Sequence, residues 1–210
     1  MPPTQRSSLP GPPDTGSSGA GPSVRPSVTD LCELLATCFH DDAITRWIVP
    51  DPRERAARLP GFFRVFVELS AACDGILADP GGDGVLLFLP PGAAPDEAAL
   101  DADLARALGP YADAMRTVAA LQAERHPADA PHYYLSFGGV RPGRRRGGLL
   151  TGFLTTVTRR ADAEGVGAYG EASSPGGEAA IGRIGFARVG GDIVLPGGGA
   201  SLRPMWRDPR

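Results

Sequence analysis

The stretch from Val140 to Leu154, VRPGRRRGGLLTGFL, limits the fold more than any other part of the chain. It follows an aromatic, β-rich run, HYYLSFGGV (132–140). It leads without a gap into a segment whose apolar positions Leu149, Leu150, Phe153, Leu154, Val157 and Ala161 share one helical face. A strand therefore passes through an arginine–glycine turn straight into a helix. A helix N-terminus leaves backbone N–H groups free and carries a partial positive charge, which suits a phosphate. Glycines let a ligand approach the backbone, and arginines add forked donors for phosphate oxygens. The competing readings of the same residues are a nucleic-acid patch and a solvated basic turn.

Composition weighs against nucleic acid as a partner. The chain carries a net charge of −3, whereas nucleic-acid binders concentrate a basic excess on one face. All 21 cationic residues are arginine, so there is no lysine for Schiff-base or general-base work. Any catalytic base must be a carboxylate, one of the three histidines, a tyrosine or a thiol. Cys32, Cys38 and Cys73 are odd in number and show no CxxC spacing. They fit a reducing compartment and indicate neither a disulfide framework nor a zinc site, so no metal is expected. No apolar run approaches the roughly 18 residues of a membrane span, and the start of the chain has no signal-peptide pattern. The expectation is a cytoplasmic protein, monomeric or homodimeric, without a membrane partner.

Residues 1–26 are dominated by Pro, Gly, Ser and Thr and read as a disordered tail, because they offer too little apolar surface to offset ordering. One domain is expected over 27–210. A helix capped by Ser27 or Thr29 runs to Phe39, and a second spans about Arg53 to Cys73, with Pro60 expected to kink or divide it. GILAD (75–79) and GVLLFLP (84–90) form a hairpin. Two helices separated near Gly109 and Pro110 follow, then the strand at 132–140, the helix to about Glu164 and a strand around 168–173. A short helix ends at RIGF (183–186), and closing strands cover about 187–195 and 201–206. That order indicates an α/β or α+β domain built on one sheet.

The two familiar nucleotide loops do not fit. A P-loop needs GxxxxGK[ST], and GRRRGG lacks the spacing of a GxGxxG fingerprint. The run instead resembles the coenzyme-A signature of the GNAT superfamily of N-acetyltransferases. Here Val140-Arg141-Pro142 is followed by Arg145-Arg146-Gly147-Gly148-Leu149-Leu150. EASSP (171–175), RIGF (183–186), LPGG, MWRDP and, upstream, WIVPDP resemble further pieces of bacterial members. The resemblance implies a mixed, strongly curved sheet flanked by helices, with acetyl-CoA as cosubstrate and an amine as acceptor. It places the coenzyme diphosphate on Arg145, Arg146, Gly147, Gly148, Leu149 and Leu150. The thioester end falls along Phe137, Gly138 and Val140, and Ser174, in the turn after the next strand, is a further expected coenzyme contact. Three positions depart from the family pattern: Leu150 where a small residue is usual, Gly177 where an asparagine is frequent, and Ile181 where a tyrosine often protonates the leaving thiolate. They motivate a second reading, a degenerate member that binds coenzyme A or a peptide without turnover.

Glu171 stands inside an apolar strand, where a charge is costly unless paired. It is a candidate base, and the alternative is an exposed edge or an arginine partner. Of Tyr133 and Tyr134, which alternate across their strand, one faces the core and one the cleft. Tyr134 is the candidate catalytic residue of the two. Trp47 is either core or a substrate wall. His40 and His126 are expected as helix-end cations, and His132 as structural.

Overall fold

The structure is a computed structural model that describes residues 26–145 and 147–210. Most of the expected tail, and Arg146 of the loop, lie outside the described residues. Helix α1 (Val28–Phe39) begins at a Ser27–Asp30 capping box. A short helix α2 (Ala43–Ile48) is capped by Asp42, and α3 (Pro52–Ala71) by Asp51. Strands β1 (Ile76–Ala78) and β2 (Gly84–Leu89) form the hairpin. Helices α4 (Glu97–Leu108) and α5 (Ala112–Ala123) are separated by a 3₁₀ turn at Gly109–Tyr111. Strand β3 (His132–Val140), helix α6 (Leu149–Glu164) and strand β4 (Gly167–Ala172) form the central unit. Helix α7 (Pro175–Gly182) and strands β5 (Ala187–Arg188), β6 (Ile193–Val194) and β7 (Ser201–Arg207) complete the domain. Among the described residues no helix is long and apolar enough to cross a membrane.

The seven strands form one mixed sheet in the order β1-β2-β3-β4-β7-β5, with β6 also on β7. β3 and β4 are parallel and joined across the sheet by α6, and every other pairing is antiparallel. Both faces of the sheet are covered. Val85 and Leu87 point into the core shared with α1 to α5, while Leu86 and Phe88 meet Leu154, Val157 and Ala161 of α6. A continuous apolar run such as β2 is what burial on both faces requires.

A bulge interrupts β3. Leu87 lies opposite Phe137 and Phe88 opposite Leu135, so Ser136 is the additional residue, its hydroxyl donating to Leu87 O at 3.1 Å. The insertion reverses the alternation of side chains. Tyr133 and Leu135 belong to the α6 side. Phe137 enters an aromatic cluster with Phe39, Phe62, Phe63 and Phe66 on the α1–α3 side.

Three expectations need correction. Pro60 does not divide α3, which runs unbroken from Pro52 to Ala71. Proline removes one ladder hydrogen bond, and burial of Leu59, Phe62, Phe63 and Val67 on either side of it holds the helix together. The segment between the first two expected helices, to which the sequence reading assigns no element, contains α2, whose Ile44 and Ile48 are buried. The single closing strand expected over 187–195 is two short strands, both paired to β7.

Candidate functional site

β3 and β4 pair only from His132–Leu135 to Gly167–Gly170. Beyond that point β3 continues to Val140 beside β2, and β4 continues to Ala172 beside β7. The two parallel strands therefore part just after the bulge. Along Ser136–Val140, every second residue turns its backbone N–H and C=O toward the opening and away from β2.

At the far end of this opening stands the start of α6. Its N-cap is Gly148, at φ +76°, and no side chain caps the helix, so the amides of the first turn are left for another partner. Gly148 is required there by its left-handed backbone. Gly147 and Gly148 are exposed. The preceding loop is braced on the β1–β2 turn, where Asp83 accepts from Arg144 at 2.9 Å and Arg141 at 3.3 Å. These two arginines thus hold the loop in place. Arg145 is exposed and turns its Nε back on Val140 O at 3.4 Å. Leu149 and Leu150 are half-buried, and Leu150 Cδ1 lies 2.9 Å from where a side chain on Gly138 would begin.

At the inner end, on the face of the sheet away from α6, Tyr134, Tyr169 and Glu171 come together. Tyr134 Oη donates to Glu171 Oε2 at 3.1 Å. Tyr169 is fully buried and stacks on Tyr134 with ring centres 6.1 Å apart. Tyr169 Oη and Glu171 Oε1 are shut from solvent and have no hydrogen-bond partner. Burial raises the Glu171 acid above its ordinary value. The hydrogen bond from Tyr134 pulls it back only in part. Burial and the neighbouring carboxylate also push the Tyr134 hydroxyl well up, so it keeps its proton at neutral pH. Just past the end of β4, Ser173 donates to Asp42 Oδ2 at 2.5 Å, tying the exit of the strand to the cap of α2.

No protein-family profile matches the chain, and no curated protein matches it in sequence. Solved structures do match in shape. A Corynebacterium glutamicum structure described as histone acetyltransferase HPA2 and related acetyltransferase is 23% identical, with 87% of this chain and 91% of that chain covered and a TM-score of 0.62. An apo mutant form of an agmatine N-acetyltransferase is 15% identical over 87% and 95% of the two chains, at a TM-score of 0.57. Arylalkylamine N-acetyltransferase 2 from Aedes aegypti is 13% identical over 87% and 94%, at 0.55. The chain has the GNAT fold.

Within this GNAT fold the residues singled out from sequence fall in three places. Phe137, Gly138 and Val140 lie on β3 beside the opening, although the Phe137 ring itself points into the aromatic core. Arg145, Gly147, Gly148, Leu149 and Leu150 form the entry to α6. Ser174 is exposed, and its hydroxyl accepts from Gly177 N–H at 3.1 Å as the cap of α7. Ile181 packs into the core on the α6 side. Tyr133 also turns to that side and donates to Glu164 at 2.7 Å, its hydroxyl pushed up to about 12 chiefly by burial. Glu171 takes no arginine among the described residues. Trp47 is half-buried against the core and donates to Pro196 O at 3.0 Å.

Sequence reading missed two features. His126 does not act as a helix-end cation. Its ring lies edge-on to Tyr134 and Tyr169, and burial with His132 alongside holds its acid below the ordinary histidine value. Arg55 is buried and donates to three carbonyls, His40 O at 2.6 Å, Val49 O at 2.7 Å and Pro50 O at 2.9 Å, fixing the segment on either side of α2. A lone arginine between Glu54 and Ala56 carries no signal of such a role.

Proposed function

We propose that the chain is an acyl-CoA-dependent N-acyltransferase. It moves an acetyl group from acetyl-CoA to a primary amine of a small molecule or to the α-amine of a peptide. The observation that supports this most is the parting of β3 from β4, with an uncapped, glycine-lined helix N-terminus at one end and a buried carboxylate with an unpaired oxygen at the other.

The residues present fit a coenzyme A thioester. The free amides of Leu149 and Leu150, with Gly147, Gly148 and the guanidinium of Arg145, would hold the diphosphate. Backbone groups from Phe137 to Val140 would hold the thioester end. The coenzyme supplies the acyl group in activated form. Backbone N–H groups of β3 aimed at the carbonyl oxygen would stabilise the charge that develops there. Glu171 would take the amine proton while Tyr134 holds Oε2, and burial, by raising its pKa, makes it a stronger base than an exposed carboxylate. An α-amine, with a reference pKa of about 7.7–8.0, needs less help than an ε-amine at about 10.4. That difference is the reason for preferring α-amines and weakly basic small amines over protein lysines.

The second reading, binding without turnover, is favoured by one observation: Ile181 lies in the core where the family often places a proton-donating tyrosine. A panel of amines and peptides incubated with acetyl-CoA, with release of free thiol and the mass of the products as readouts, separates the two. Acetylated product supports catalysis. A melting temperature raised by acetyl-CoA, with no thiol released from any acceptor, supports the second reading.

A further inference from the structure

Resting on the acyltransferase reading, a second question is what holds Glu171 in place. A base must meet its proton within about 2.6–3.2 Å, and a misplacement of about 1 Å can cost roughly a hundredfold in rate. Glu171 stands where β4 loses support on one flank. Pairing with β3 ends at Gly170, opposite Leu135, so the chain from Glu171 onward borders the opening. On the other flank Glu171 lies opposite Pro204, which has no N–H. The Pro204 carbonyl is taken by the N–H of Val189, just past β5, at 3.0 Å. Proline thus leaves Glu171 no ladder bond across that flank, and Ala172 is the last residue paired with β7.

The chain is caught again two residues later. The Ser173 hydroxyl donates to Asp42 Oδ2 at 2.5 Å, the length of a charge-assisted bond to a carboxylate, between residues 131 positions apart. Asp42 is a fixed post. Its Oδ1 accepts from Ile44 N–H at 2.9 Å as the cap of α2, and its own N–H donates to Phe39 O at 3.1 Å. Its carbonyl accepts from Thr45 Oγ1 at 3.1 Å and from Arg46 N–H at 3.0 Å. Buried Arg55 holds His40 O and Val49 O on either side of this helix. The tie therefore runs from a braced helix start to a strand end that is free on one flank. Glu171 lies between the two anchorages, one residue past the last pair with β3 and two before Ser173. The bond from Tyr134 reaches only its carboxylate, at Oε2, and leaves the backbone that carries it unheld.

We infer that Ser173 and Asp42 are positioning residues for Glu171. Neither takes part in the proton transfer itself. Their bond fixes the end of β4 against α2, and the end of β4 fixes where the Glu171 carboxylate meets the amine. Tyr134 then sets the rotation of that carboxylate. Loss of the tie leaves the base present and intact but free to stand out of reach.

The test is steady-state acetyl transfer by wild type, Ser173→Ala, Ser173→Thr and Asp42→Ser, each also in a Glu171→Gln background. Serine at position 42 still caps α2 but is too short to reach Ser173. Ser173→Ala and Asp42→Ser are each expected to lower kcat at least fivefold, with KM for the amine and the affinity for acetyl-CoA unchanged. Ser173→Thr, which keeps the hydroxyl, should retain the wild-type kcat. In the Glu171→Gln background Ser173→Ala should cost nothing further, because the group it places is already gone. A wild-type kcat in Ser173→Ala overturns the inference and leaves the acyltransferase reading standing. So does an equal loss with and without Glu171, or a threonine variant as slow as the alanine one. Absence of turnover in wild type with every amine overturns both. Should Asp42→Ser fail to fold, Ser173→Ala, which removes one hydroxyl at a half-buried position, carries the same comparison.

Discussion

Leu150 occupies the space that Gly138 leaves empty. The side chain reaches from the first turn of α6 to within 2.9 Å of where a Cβ on β3 would stand, with Leu86 Cδ1 at 3.4 Å on the same spot. The signature that this loop resembles has a small residue at the helix position; in this chain the glycine across the contact leaves the room that Leu150 fills. Gly138→Val is therefore expected to displace Leu150 and the turn that carries it, weakening acetyl-CoA about tenfold, or roughly 1.4 kcal/mol. Combining it with Leu150→Ala should recover most of the loss. Calorimetric titration of the two single variants and the double reads the coupling directly.

Gly148→Glu should eliminate acetyl-CoA binding. A left-handed backbone is strained for any residue with a side chain, and an anion there faces the incoming diphosphate. The measurement is the rise in melting temperature on adding acetyl-CoA, which should vanish while the protein alone remains folded.

Glu171→Gln keeps the shape of the side chain and removes the base. The expected result is a kcat at least tenfold lower, as loss of general-base help implies, with acetyl-CoA affinity unchanged. Stability should move the other way. Burial raises the Glu171 acid in the folded state above its ordinary value of 4.5. Folding thus favours the protonated form. That contribution is complete below the unfolded value and is lost as pH rises through the folded value. The variant, which cannot ionise, should melt higher than wild type at pH 7.5, with the gap closing toward pH 4. Melting curves across this range decide it, and a gap independent of pH refutes the assignment.

Arg55→Leu should destabilise the domain by about 3 kcal/mol, because three carbonyls lose a charged donor in a buried place. Denaturant titration measures this. Arg55→Lys should recover only part, since a single ammonium cannot reproduce the planar fork.

The sequence made the central unit legible because its signals are local. The alternation in HYYLSFGGV, the glycines at 147 and 148 and the apolar face from Leu149 to Ala161 lie within a few turns of one another, and β3 and α6 follow them closely. What stayed hidden depends on partners far along the chain. The bulge at Ser136 appears only once Leu87 and Phe88 are laid against β3, so the side that Phe137 faces could not be read by alternation. Leu150 looked like a defect because Gly138, on another element, was not weighed with it. His126 looked like a helix end, since nothing near it in sequence announces that His132, Tyr134 and Tyr169 surround it. α2 went unseen because two prolines follow so closely that the run was too short to show periodicity.

The placement of β7 bears on how the protein is made. This strand is not an edge added last to a finished sheet. It pairs with β4 on one side and with β5 and β6 on the other, and Arg207 near its end is buried and grips Asp162 of α6 at 2.7 Å and 2.9 Å. A nascent chain that has emerged only as far as Ala200 therefore has β4 with an open hydrogen-bonding flank and β5 and β6 with nothing to pair to. Half the sheet must wait on the ribosome for Ser201–Arg207 to emerge from the exit tunnel. Until then, the apolar surface over β4 is a target for chaperones and for other unfinished copies of the chain.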